Sequence, residues 1–412
     1  RMNWVSTPYE TLKQIPELSI LPGEYLSKGF THAVLLGMGG SSLAPEVINR
    51  IAAVKDEYSG KGLKLRILDS TDPNQVIVIE KEQPIDKTLF IVASKSGTTG
   101  EINVFLDYFW EKVKEINPGH PGEQFIAITD PGTKLAKISE ERHFSRVFFA
   151  DPQVGGRNSA LTAFGMIPTA LMGIDLEKFI GNAVDMADYC RGSGVLNENP
   201  GIVLGAIIGT AALAGRNKLT LITGEKWAAF GDWLEQLVAE SSGKDGKGIL
   251  PIANEPLIAA KDYSTDRLFV RIEQENENST FTDALAQAGH PVITLHVDEV
   301  EELAGQFYLW EIAVATACSI IGVNSFDQPD VQDAKIRTLA GLESYKNTGK
   351  LVEPTPFAEY PQARVLTQLD PSIERRGSLF RLIGSFIEKH LQQTEYLAIN
   401  AFIPMNRENA FL

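Results

Sequence analysis

Short apolar runs alternate with helical periods through the first half of the chain, and this constrains the fold more than any other feature. "HAVLLG" (32–37), "LKLRILDS" (63–70), "TLFIVAS" (88–94), "QFIAITD" (124–130) and "RVFFAD" (146–151) each have the length and apolar content of one buried strand. Helical stretches separate most of them. "APEVINRIAAV" follows the first run with Pro45 in its first turn, and "EINVFLDYFWEKVKEI" occupies 101–116. Strands that alternate with helices predict a parallel sheet with helices on both faces.

After a helical zone over 158–216, broken at Pro168 and "NENPG", the pattern returns. "LTLITG" (219–224), "RLFVRIE" (267–273) and "PVITLHV" (291–297) read as strands, and "FYLWEIAVATACSIIG" (307–322) as a helix apolar nearly all round, hence buried. Prolines 354, 356, 361 and 371 mark 346–378 as an insertion or linker; a helix over 376–391 and a strand, "EYLAINAF", close the chain. The fold class is α/β, with parallel-sheet domains over 1–190 and 191–345 and a linker plus appendage over 346–412. A chain of 412 residues supports cores of that size.

The hydrophobic fraction of 43% and charged fraction of 22% are those of a soluble globular protein. Net charge is 38 − 53 = −15, which argues against an open basic surface for nucleic acid and confines any anion to a focused local site. Cys190 and Cys318 lie in apolar helical stretches and read as small core residues of a reducing compartment. No secretory signal opens the chain, and "IVLGAIIGTAALAG" (202–215) falls short of the roughly 20 apolar residues a bilayer needs. These features predict a cytoplasmic protein without a membrane partner. The ends, "RMNWV" and "RENAFL", suggest a piece of a longer polypeptide. The six histidines form no HExxH motif and sit near no cysteine pair, so no metal site is expected.

In open parallel sheets ligands bind beyond the carboxyl ends of the strands. Three polar, glycine-bearing segments follow strands there: "GMGGSS" (37–42), "SKSGTTGE" (94–101) and "VGGRNS" (154–159), each before a helix whose N-terminus favours an anion. "GMGGSS", with Asp69 as a ribose acid, fits the dinucleotide fingerprint poorly because Ser42 stands where the third Gly or Ala belongs; no cofactor is expected. "SKSGTT" reads either as a solvated turn or as an anion cradle. In the second reading Ser94, Ser96, Thr98 and Thr99, with Lys95 among them, offer donors suited to a terminal phosphate. In the helix "EKWAAFGDWLEQLVAES", Trp227, Phe230, Leu234, Leu237 and Val238 make the apolar stripe. Gln236 and Glu240, four apart, share a face off that stripe.

Five segments in order, "GMGGSSLAPE", "SKSGTTGE", "GGRNSALTAFGMIP", "LVAESSGKDGKG" and "GVNSFDQPDVQDAK", resemble the successive signatures of the glucose-6-phosphate isomerase family across residues 37–335. The resemblance implies two sugar-isomerase (SIS-type) αβα sandwich domains, no metal, and a homodimer with its active site between subunits. It implies interconversion of glucose 6-phosphate and fructose 6-phosphate. Ser94, Lys95, Ser96, Thr98 and Thr99 would form the phosphate loop, with Gly40 and Ser41 nearby. Gly156 and Arg157 would match the segment whose arginine stabilises charge on the sugar oxygens. Glu240 would be the catalytic carboxylate, with Gln236 and Gln328 as substrate contacts. Lys335 would assist ring opening and polarise O1. "EPLIAAKDYSTDRLFVRI" and "EYLAINAFIPMN" are similar to a branch in which the isomerase follows a transaldolase domain. A dual phosphoglucose/phosphomannose isomerase uses the same residues, and a non-catalytic SIS-type sugar-phosphate binder needs only the phosphate loop.

One departure stands out. The family places a ring-opening histidine, supplied by the neighbouring subunit, some 20–30 residues after the glutamate. "AAKDYSTDRLF" has none, and Tyr263, Ser264 and Asp266 occupy that region. Ring opening is therefore expected from Lys335 with a bound water, helped by Asp266 or Tyr263 of the partner subunit. His290 and His296 are the rival candidates.

Overall fold

The computed structural model describes all residues except 1, 55–57, 59, 193, 274–279, 328, 351–353, 362, 367–376, 392–394 and 401–412, and only the backbone of 329–332 and 335. Its contacts separate a unit beginning at Arg1 and running to Phe326 from one spanning Asp327–Phe402.

The first unit holds two sheets. One comprises β1 (His32–Leu36), β2 (Lys64–Leu68), β3 (Thr88–Ala93), β4 (Phe125–Thr129) and β5 (Arg146–Phe149), in the order β2-β1-β3-β4-β5. Every pairing is parallel. The other comprises β6 (Lys218–Thr223), β7 (Leu250–Ile252), β8 (Arg267–Glu273) and β9 (Val292–His296), in the order β7-β6-β8-β9, also parallel throughout. All residues of β3 and β4 are buried, as strands covered on both faces must be, which is why they read as unbroken apolar runs.

The covering helices are amphipathic. Ile102, Phe105, Leu106, Phe109 and Val113 form the inward stripe of helix Gly100–Ile116 and close one face of the first sheet. Helices Leu43–Ala53 and Ala163–Leu171 pack on the opposite face, in a core continuous with the second sheet and with helix Leu303–Ile321. Among the described residues one stretch, Val300–Ile321, is long and apolar enough to cross a bilayer, but 72% of its most apolar window is buried inside the fold. Helix Pro200–Leu213 lies against it along Gly201, Gly205 and Gly209. A Cβ on Gly205 would come within 2.3 Å of the Ala313 carbonyl oxygen, so the glycine-rich run is a helix–helix contact. Cys190 and Cys318 are buried and unbridged.

The second unit contains helix Pro329–Thr348, a hairpin of β10 (Ala358–Tyr360) and β11 (Ala363–Val365), and helix Leu379–His390. The predicted strand at "EYLAINAF" does not form over its described part, 395–400: those residues are exposed and join no ladder. The supposed linker is part helix and part hairpin.

Candidate active site

From β1 the chain runs out to β2, then returns to the other side of β1 to lay down β3, β4 and β5. A crevice opens beyond the carboxyl ends at such a reversal. Leu36 pairs with Leu68 and with Val92, so β1, β2 and β3 end nearly level and the loops after β1 and β3 start side by side.

After β1 comes a tight turn, Gly39–Ser41, with Gly39 at φ 54°. The turn Gly156–Asn158, which follows β5, packs directly onto it. The Ser159 hydroxyl lies 3.0 Å from the Gly40 carbonyl oxygen and 2.6 Å from that of Gly156, bridging the two turns. Arg157 is thereby carried inward until 3% of it is exposed, and its Nη1 lies 3.7 Å from Glu240 Oε1. A guanidinium so deeply buried needs a counter-charge, and Glu240, whose side chain is still 21% exposed, supplies one.

Glu240 comes from helix Ala228–Ser242, which follows β6. Phe230, Trp233, Leu234, Leu237 and Val238 bury its apolar stripe and leave Gln236 and Glu240 half-buried on one side, as their spacing predicts. Gln236 Nε2 stands 3.0 Å from the position a Cβ on Gly39 would take. Asp232, one turn earlier, pairs with Arg50 at 2.8 Å and accepts from Asn254 Nδ2 at 3.0 Å, tying this helix to Leu43–Ala53. Two helices from different sheets are thus fastened around one crevice.

The loop after β3 lies beside the Gly39–Ser41 turn. Ser94 is buried and donates to Thr99 Oγ1 at 3.2 Å; the exposed pair Ser96 and Thr98 join through their hydroxyls at 3.0 Å. Thr99 is the N-cap of helix Gly100–Ile116, yet its side chain makes no cap bond. Thr99 thus leaves the first-turn N–H groups without a side-chain cap, and a helix start of this kind favours an anion. Lys95 reaches elsewhere: its ammonium is 2.8 Å from Asp130.

Several residues around this crevice carry no sequence signal of their own. Glu311, on helix Leu303–Ile321, is 3% exposed and faces the Asn158 side chain. Burial pushes its carboxyl well above the usual carboxylate range, against the opposing hydrogen bond from Asn158. Glu46, in the first turn of helix Leu43–Ala53, is raised to about 7 by burial and then by the neighbouring charge of Asp69.

Gly40, Ser41, Gly156, Arg157, Gln236 and Glu240 meet at this edge, with the Ser94–Thr99 loop alongside. Gln328 lies outside the described residues. Lys335 belongs to helix Pro329–Thr348 of the second unit, and its side chain is likewise outside the description. Tyr263, Asp266 and His290 sit at the opposite, amino-terminal edge of the second sheet. Tyr263 is buried against Phe269, and its hydroxyl accepts from the Ile258 N–H at 3.2 Å. Asp266 pairs with Lys218; burial opposes its charge, but bonds from Lys218 and Ser264 hold its carboxyl below the ordinary value. His290 is 6% exposed, edge-on to Phe269, with Nε2 3.2 Å from the Ala260 carbonyl oxygen. His296 instead ends β9 at the carboxyl edge; its side chain is 56% exposed and 3.9 Å from Glu273.

The fold and this edge define a class, that of α/β proteins built on parallel sheets with the site at the carboxyl ends of the strands. Residues 8–249 match the phosphoglucose isomerase family, and the chain belongs to that family. It is 26% identical to the glucose-6-phosphate isomerase of Methanocaldococcus jannaschii, over 74% of this chain and 83% of the relative. In three dimensions it is similar to a hypothetical protein of Thermus thermophilus, with a TM-score of 0.71 at 21% identity, covering 83% of this chain and 90% of the other. It is also similar to a glucose-6-phosphate isomerase from Chlamydia trachomatis, with a TM-score of 0.64 at 18% identity, covering 82% and 74%.

Proposed function

We propose that the chain is a glucose-6-phosphate isomerase, acting on the aldose and ketose forms of one hexose 6-phosphate without metal or cofactor. The observation that carries this reading is the approach of buried Arg157 to half-open Glu240, 3.7 Å apart at the edge where the phosphate loop begins. With the phosphate on Ser94, Ser96, Thr98, Thr99 and the adjoining main-chain N–H groups, the opened sugar extends toward Glu240. The carboxylate takes the C2 proton, leaving a cis-enediol(ate), and returns it to C1 while the hydroxyl proton shifts from O2 to O1, giving the ketose. Negative charge develops on the C1 and C2 oxygens during transfer. A guanidinium fixed beforehand in a dry pocket stabilises that charge without reorganising, which is where most electrostatic catalysis originates.

Lys335 is assigned to ring opening and to O1, and Gln328 to substrate contact, on the match of "FDQPDVQDAK" to the family. The same reading makes the protein a cytoplasmic homodimer, organised as domains 1–190 and 191–345 with an appendage; the separate likeness of "EPLIAAKDYSTDRLFVRI" and "EYLAINAFIPMN" to the fused branch would put a transaldolase domain before it.

The test is turnover of fructose 6-phosphate with neither metal nor nucleotide added, with mannose 6-phosphate in parallel to set the breadth of the substrate class. Glu240→Gln keeps the shape and removes the proton acceptor. Isomerisation and solvent exchange of the C2 hydrogen should both fall roughly 10²–10⁴-fold, the usual contribution of a general base. Exchange at the parent rate in that variant would assign proton abstraction to another group.

A further inference from the structure

Lys95 is the one cation within Ser94–Thr99, so the simple expectation is that its ammonium meets the phosphate. The structure turns it the other way. Nζ lies 2.8 and 2.9 Å from the two carboxylate oxygens of Asp130 and 3.0 Å from the Asp151 carbonyl oxygen. An ammonium has three N–H bonds, and three acceptors occupy them. Asp130 directly follows β4 and Asp151 comes two residues after β5, so one side chain joins the ends of three neighbouring strands.

The backbone repeats the connection. Asp130 N–H donates to the Lys95 carbonyl at 3.3 Å, Ser94 N–H to the Ile128 carbonyl at 3.0 Å, and Thr129 Oγ1 to the Ser94 carbonyl at 2.7 Å. Asp151 is itself held, its carboxylate accepting from Asn3 Nδ2 at 2.7 Å. With side chains 21% and 16% exposed, Lys95 and Asp130 form a shielded pair, unlike the solvated surface pairs that contribute little.

We infer that Lys95 and Asp130 are positioning residues, a clasp that fixes the phosphate loop to the ends of β4 and β5. The phosphate is left to hydroxyls and main-chain N–H groups. The inference rests on the phosphate-loop part of the proposed function and assigns the lysine a different task within it. Its charge is cancelled where it stands, so geometry rather than a free cation selects the ligand.

Asp130→Asn separates the two roles by sign. If Lys95 were a phosphate ligand, losing Asp130 would release the ammonium and phosphate would bind more tightly. If Lys95 is half of a clasp, the same change loosens the loop and phosphate binds more weakly. The measurements are the Kd of inorganic phosphate by calorimetry, and kcat and KM for fructose 6-phosphate, on the full chain. Asp130→Asn and Lys95→Met should each raise Kd and KM about tenfold, in line with the loss of a charged hydrogen bond, while kcat stays within roughly threefold. The double variant should be no worse than the poorer single one, because residues acting as a unit do not add. Lys95→Arg keeps a cation able to reach Asp130 and should recover most of the affinity, a check that stands even if the other variants fold poorly. Tighter or unchanged phosphate binding in Asp130→Asn, or multiplied losses in the double variant, would overturn the clasp. A parent that binds phosphate but leaves fructose 6-phosphate unchanged would sink the isomerase reading alone.

Discussion

No side chain fits between Gly40 and Gly156: a Cβ on Gly40 would sit 2.3 Å from the Gly156 carbonyl oxygen and 3.2 Å from the Arg157 nitrogen. Both obstacles are backbone, so neither can swing aside as a side chain can. Gly40→Ala must push the Gly156–Asn158 turn outward and take Arg157 away from Glu240. A misplacement near 1 Å at a reacting centre costs on the order of 10²-fold in rate. The expected outcome is a kcat lower by about that factor with a smaller change in the Kd for inorganic phosphate, since the backbone that must move carries Arg157 and not the proposed phosphate loop. A parent-like kcat would mean that the turn yields without disturbing the arginine.

The proposed phosphate loop makes a second prediction. Thr99 occupies an N-cap position without a side-chain cap bond, so Thr99→Val removes a hydroxyl without uncapping the helix. Ser94 is buried and its hydroxyl bonds only within the loop, to Thr99. Losing a hydrogen bond to a charged group costs about 1.5–3 kcal/mol, so Ser94→Ala and Thr99→Val should each raise KM at least tenfold. The inhibition constant of inorganic phosphate should rise in step. Parent-like values in both variants would return the segment to an ordinary turn.

How much of this was legible in the sequence depended on whether the deciding contact was local. Strands β3 and β4 could be read because burial on both faces leaves no polar position to blur the run. Strand β7 could not: three residues with Pro251 in the middle, paired to β6 alone, carry no periodicity. "EYLAIN" has the look of a strand, but a strand needs a neighbour, and propensity cannot supply one. Gln236 and Glu240 were placed on one side of their helix by the 3.6-residue period. The burial of Arg157 was invisible, because it depends on a glutamate from the other sheet and on the Gly40–Gly156 contact. Asp130 and Glu311 escaped for the same reason: one meets its partner 35 residues away, and the other lies on a distant helix that reads as uniformly apolar.

Glu46 supplies a pH-dependent prediction. Burial first, then the charges of Asp69 and Asp232, raise its carboxyl from 4.5 to about 7 against the opposing pull of Arg50. A carboxyl raised on folding favours the protonated folded state. Its contribution is complete below the unfolded value and is lost as pH climbs through the folded one, here between about 4.5 and 7. Each unit is worth about 1.4 kcal/mol, and the side chain is 31% exposed, so we expect roughly 1–3 kcal/mol in total. Glu46→Gln, which cannot ionise, should melt close to the parent at pH 5 and above it at pH 8. A gap that stays flat or reverses across that range would contradict the assignment.

The absent family histidine leads to the last prediction. A closed hexose ring opens only when a proton moves between the ring oxygen and the C1 hydroxyl, so some group must carry it. His290 is committed to the core: it is buried between Phe269 and Tyr263 and bonded to the Ala260 carbonyl, at the edge of the second sheet away from Glu240. His290→Asn should therefore lower the melting temperature while kcat stays within about tenfold, below the usual contribution of a general catalyst. His296 is the histidine at the carboxyl edge, largely solvated beside Glu273. If ring opening belongs to Lys335 and water, His296→Asn should also cost less than about tenfold. Lys335→Ala should then cost far more with glucose 6-phosphate than with an analogue unable to cyclise. The decisive comparison is the ratio of the two substrates in each variant. A loss on the order of a hundredfold in His296→Asn, confined to the ring-forming substrate, would transfer the task to that histidine and away from the lysine.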